Sequence, residues 1–189
     1  MLEKVESLRK ENRLLKILSS KKAKCMVGTI LLSGIGIALP RIFHVLAGSS
    51  AGATFLPMHI AVLIAALAFG AISGSIVAGS SVIFSYLLTG MPSLARLPYM
   101  LVELLIYAIV LSVCHKKFNT YASLMITMIL GRILYGGVLF VATNCLGLSA
   151  YGISVMESVK LGIPGLILQL VCVPFIANTI KGRLEVKND

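Results

Sequence analysis

Residues 55–107 read FLPMHIAVLIAALAFGAISGSIVAGSSVIFSYLLTGMPSLARLPYMLVELLIY, and this stretch decides the fold. It holds two apolar runs, 57–72 and 73–89, joined by the small-residue segment GAISGS (70–75). A third run begins at 98 and continues to 114. Crossing a bilayer takes ~20 apolar residues in a helix, and these runs approach that length almost without charge. Between them lies GMPSLARL (90–97), whose Gly, Pro and Ser are turn-forming residues. Small residues at the 70–75 junction and beyond it (Gly70, Gly74, Ser75, Gly79, Ser80) permit close helix approach. The boundary there is the least sharp in the chain, and a single broken span is a second reading of it.

Three more apolar runs flank this stretch, at 25–46, 121–146 and 155–178. The whole chain has 189 residues, of which 58% are hydrophobic and 13% charged, and its mean hydropathy is +0.97. A soluble domain is about 25% charged, so this composition supplies neither a water-exposed globular surface nor a disordered chain. The expected architecture is an all-α integral membrane protein, six transmembrane helices in a compact bundle. A basic leader occupies 1–24, the six-helix domain 25–180 and a tail 181–189. The leader places Leu2, Val5, Leu8, Leu15 and Leu18 at near-helical spacing. It reads as an amphipathic helix on the membrane or against a partner, or equally as a solvated segment that only fixes topology.

The net charge of +10 would suggest nucleic acid in a soluble protein, but in a bilayer protein basic residues set orientation. Eight of the Lys and Arg lie in the leader, two (Lys116 and Lys117) in the 115–120 connection, and three (Lys181, Arg183 and Lys187) in the tail. With six spans all of these fall on one face, so both termini are expected in the cytoplasm of a multi-pass cell-membrane protein, with no nucleic-acid partner. The outer connections are then 47–56, 90–97 and 147–154, small-residue loops able to close over a ligand or simply to turn the chain.

Several functions are disfavoured by what the chain lacks. Cys25, Cys114, Cys145 and Cys172 have no metal-ligand spacing, so neither a zinc site nor a cofactor is expected. Asp189 is the single Asp, which argues against Mg²⁺–diphosphate chemistry. No HExxH, GxSxG or GxxxxGK[ST] motif is present. The chain is therefore read as neither an ATPase nor an enzyme.

Ionisable groups inside spans are costly and point to function. Glu103 lies ~8 Å from the outer end of the fourth span and Arg132 ~16 Å deep in the fifth, at 1.5 Å per residue. In a ~30 Å core these depths are close enough for the two to pair inside the bundle. Such a pair is read equally as a structural brace or a ligand contact. Glu157 and Lys160 share a helix face near the outer end of the sixth span, as an interfacial salt bridge or as pocket lining. Arg41, His44 and His59 flank the first outer loop, and Arg96 lies in the second. Asn144, Tyr107, Tyr151 and Gln169 can add hydrogen bonds. The polar groups concentrate in the outer half of the spans, which fits a pocket opening outward better than a pore. Gly34 and Ala38 give the first span a small-xxx-small face.

The pieces LPMHI, FG…G…G, LLTGMP and ELLIY, followed by GRILYGG at 131–137, resemble the substrate-binding subunits (S components) of energy-coupling factor (ECF) vitamin transporters. The likeness covers residues 25–178, and the 24-residue leader and Gly34 in place of a more usual Ala depart from the family pattern. The resemblance implies a six-helix protein that binds a vitamin or vitamin precursor from outside and delivers it through a transmembrane coupling subunit and two ATPase subunits. It implies a coupling surface at Gly34 and Ala38, a lid at 47–56, and a pocket whose positions match Glu103, Tyr107, Asn144 and Glu157. The substrate-binding set expected overall is Arg41, His44, His59, Arg96, Glu103, Tyr107, Arg132, Asn144, Glu157 and Lys160. Concentrative uptake needs an energy source, and the absence of a nucleotide motif independently calls for such a partner. The alternative is a self-sufficient secondary carrier for a small polar solute. A membrane enzyme using His44, His59 and Glu103 as an acid–base set is a third class, without a known catalytic spacing to support it.

Overall fold

A computed structural model describes residues 20–48, 55–94, 96–144 and 155–185. Six α-helices make up this part: α1 (Lys21–Ala47), α2 (Pro57–Phe69), α3 (Ala71–Thr89), α4 (Leu97–Cys114), α5 (Thr120–Asn144) and α6 (Val155–Glu185). No strand occurs among the described residues. Five segments are long and apolar enough to cross a membrane: 22–46, 71–89, 97–114, 120–141 and 162–182. The protein is thus an all-helical, multi-pass membrane protein.

The second apolar run of the sequence differs from the others. Its helix, α2, has 13 residues and is ~20 Å long, shorter than a ~30 Å hydrocarbon core. Gly70 ends it, with φ +94° and ψ −178°, a backbone conformation that an L side chain rarely adopts. The chain then folds back as α3. A Cβ built on Gly36 of α1 would approach both Ala61 of α2 and Ser81 of α3, so these two helices run antiparallel about Gly70. Helix α2 packs against α1, α3, α4 and α6, and ten of its residues are buried. It is apolar all round because it is enclosed all round.

The remaining helices alternate in direction around it. The hydroxyl of Ser112 on α4 lies 3.1 Å from the carbonyl of Ala66 on α2. A turn at 115–119 joins α4 to α5, with the Asn119 side chain accepting from the Ala122 N–H at 2.8 Å as a helix cap. Lys181 Nζ meets His115 Nε2 at 2.8 Å, which ties the end of α6 to that turn. Ser20 caps the start of α1, accepting from the Ala23 N–H at 3.2 Å. Gly28 of α1 faces Phe69 at the end of α2, so Lys22, Lys24, Lys116, Lys117 and Lys181 gather at one end of the bundle. At the opposite end, Phe43 and Phe55 meet ring to ring at 5.2 Å.

The outer surfaces are apolar: Ile30, Leu46, Ile72 and Phe175 are each at least two-thirds exposed. Such a surface needs lipid rather than water around it. The interior depends on small residues. A Cβ on Gly74 would stand 2.9 Å from the Cβ atoms of both Ala66 and Ala108, whereas one on Gly79 meets nothing within 4 Å. Gly74→Ala should therefore destabilise the protein by about 1–3 kcal/mol. Gly79→Ala should be neutral or stabilising by up to ~1 kcal/mol. Unfolding in detergent micelles reads both.

His115 lies outside the spans, where burial and then the Lys181 ammonium hold its imidazole below the usual histidine range. The folded state resists a proton that the unfolded chain accepts, so stability should fall as pH drops through about 6.5. His115→Gln should flatten that part of the pH profile, measured by thermal unfolding between pH 8 and 5.

Candidate functional site

Three helices bring polar side chains together near the end of the bundle opposite the lysines. Spacing on α4 sets the first wall: Tyr99, Glu103 and Tyr107 recur every fourth residue and face inward, all buried. The facing wall is α5. Tyr135 and Leu139 pack on Tyr99, Arg132 meets Glu103, and Gly131 lies against the Tyr107 ring. A Cβ on Gly131 would be 2.8 Å from Tyr107 Cζ, so glycine is what lets the aromatic ring sit at this depth. The third wall is the start of α2, where His59 is the third helical residue.

The geometry centres on Glu103. Its Oε1 is 3.1 Å from Arg132 Nη1 and 3.7 Å from His59 Nε2. The His59 ring also stands edge-on to Tyr107, with centroids 5.2 Å apart. His59 is 1% exposed, Glu103 4%, and Tyr107 fully enclosed. The charges are close, yet much hydrogen-bonding capacity stays unmet. By strict geometry His59 Nδ1 and Nε2, Glu103 Oε1, Tyr107 Oη, and Arg132 Nε and Nη2 are buried with no hydrogen-bond partner among the described residues, although His59 and Tyr107 both face Glu103. Both side-chain polar atoms of Gln169 on α6 are in the same condition. Buried polar groups in finished proteins are normally satisfied, and each exception needs an explanation.

Local backbone shapes the rim. Leu56, just before Pro57, has φ +47° and ψ +49°, a left-handed conformation that costs a non-glycine residue about 1–2 kcal/mol. It leans on α6: a Cβ on Gly162 would stand 3.1 Å from Leu56 Cδ1 and 3.4 Å from Arg132 Nη2.

Of the expected site residues, the structure brings together His59, Glu103, Tyr107 and Arg132. The Glu103–Arg132 pairing expected from their depths is present. Arg41, Arg96 and Lys160 are exposed and His44 half-buried, none of them in this cluster. The side chains of Asn144 and Glu157 lie outside the described residues, as do residues 49–54 of the lid expected at 47–56. Gly34 and Ala38 are exposed on α1, and the glycines of that helix that face the bundle are Gly28 and Gly36. Leu56 and Gly162 were not legible as rim residues, since nothing in the sequence marks them. The buried hydroxyls of Ser81 and Ser85, spaced i,i+4 on α3, are a second unsatisfied group that went unread.

Comparison with family models, with curated proteins and with solved structures returned no match.

Removing one partner of a buried ion pair leaves the other charge uncompensated, at a cost of about 3–5 kcal/mol. Glu103→Gln should lower stability on that scale, and Glu103→Asp much less, in thermal unfolding of the detergent-solubilised protein.

Proposed function

We propose that the protein is a membrane substrate-capture subunit that binds a small polar organic molecule at the His59–Glu103–Tyr107–Arg132 cluster. Its transport would be completed by a coupling subunit and ATPase subunits, as in the ECF importers that the sequence resembles. The observation that carries this reading is the cluster itself, in which side chains from α2, α4 and α5 converge, buried, with donors and acceptors unmet. A site made only to brace three helices is expected to satisfy its own polar groups.

Orientation supports capture from outside. The five lysines named above lie at one end of the bundle, and basic residues favour the cytoplasmic side. The cluster at the other end then faces outward. In this reading all six helices lie in the membrane, α2 too short to cross without the neighbours that enclose it, and both termini are cytoplasmic. The exposed face of Gly34 and Ala38 on α1 offers close approach to a coupling subunit.

One observation favours a second reading. His59 against Glu103 inside a membrane protein is also a pair that a proton relay uses. A self-sufficient secondary carrier would accumulate solute in liposomes holding this chain alone under a proton gradient. The capture reading expects none there, together with one-to-one binding of a vitamin-sized molecule by the purified chain and ATPase subunits isolated with it from membranes. Gradient-driven uptake by the chain alone would overturn the capture reading in favour of the carrier.

A further inference from the structure

We infer that Arg132 is built to grip a carboxylate of the captured molecule. This rests on the cluster being the capture site and names the chemistry of what it takes.

A guanidinium offers five N–H donors in a fixed plane. Arg132 directs Nη1 to Glu103 Oε1 at 3.1 Å. Nε and Nη2 share the adjacent edge, where their hydrogens point the same way, and both are buried without a partner among the described residues. That edge is a two-pronged donor, the geometry that receives both oxygens of a carboxylate in parallel bonds. The rim agrees with this assignment. Gly162 of α6 comes up beside Nη2 with no side chain, so the helix leaves room where even a methyl would stand 3.4 Å from that nitrogen.

Charge decides between anions. Glu103 and Arg132 cancel, so a carboxylate adds one net negative charge to a buried site, and an uncompensated buried charge is expensive. A phosphate dianion would add two, so the paired site suits a monocarboxylate better than a phosphate. His59 stands beside the pair, with Nε2 3.7 Å from Glu103 Oε1.

The test uses the full-length chain in detergent with small acids and their neutral counterparts: nicotinate with nicotinamide, pantothenate with panthenol, and biotin with biotinamide. Binding is measured by calorimetry. The expected result is that at least one acid binds, about tenfold or more tighter than its neutral partner, since the fork is a charge-assisted donor. Arg132→Lys keeps a cation against Glu103 but loses the fork, and should weaken binding about tenfold or more. Gly162→Ala leaves every charged group in place, and should also weaken binding with the fold intact by circular dichroism. Equal binding of the neutral partners, or full affinity in both variants, would overturn the carboxylate assignment and leave the capture reading standing. Failure of every acid and every neutral partner to bind would overturn the assignment and remove support from the capture reading as well.

Discussion

Glu103 and Arg132 have to neutralise each other inside a fold that lipid surrounds. In water an ion pair can exchange its partner for solvent, but within a bilayer the missing charge has no substitute nearby. The pair therefore constrains what is around it. It needs α4 and α5 side by side, and the short turn at 115–119 supplies that by joining them as a hairpin. It needs its depth fixed, and the ladder of Tyr99 with Tyr135 above and Tyr107 with Gly131 below fixes it. Both flanking contacts are aromatic, which gives the charges apolar walls and raises their mutual attraction.

The short helix α2 is the second determinant. Because it is about two-thirds of a membrane thickness, its first turn ends inside the bundle rather than at the lipid headgroups. His59 sits in that first turn, so shortness converts what would be an interfacial histidine into a buried one. Gly70 makes this possible by reversing the chain in a conformation closed to other residues, and Gly74 and Gly36 let α3 and α1 close around the result. The outcome is a cluster whose electrostatics are nearly balanced and whose hydrogen bonding is not. A brace would satisfy both. That imbalance is what the proposed binding role rests on.

Much of the architecture was legible in the sequence because hydropathy and charge position are properties of the chain itself. The helical runs at 25–46, 98–114 and 121–146 reappear as α1, α4 and α5 with small shifts at their ends. The Glu103–Arg132 pairing was legible because depth in a membrane can be counted in residues from a span's end. The partnership of His59 with Glu103 was not, since counting gives depth but not which helix lies at the centre. That depended on α2 being short and enclosed, and the run 57–72 read as a span whose boundary with 73–89 was the least sharp in the chain. Arg41, Arg96 and Lys160 read as site candidates for their charge alone, yet at helix ends a long basic side chain reaches solvent easily and these three do so. The small-residue face of α1 shows the same lack of azimuth. Gly34 and Ala38 were visible as a motif, while the glycines used for internal packing are Gly28 and Gly36, the latter two residues on from Gly34 and so on the opposite face.

The central claim is that the cluster binds a molecule rather than only bracing three helices. Replacing both members of a buried ion pair with apolar residues of similar size is often neutral or stabilising, so Glu103→Met combined with Arg132→Met separates the two roles. The measurement is thermal unfolding of the double variant alongside native mass spectrometry of small molecules retained from its membranes. The double variant should fold as stably as the parent and lose a bound molecule that the parent retains. A double variant that retains the same molecule, or a parent and variant that both carry none, would contradict the claim.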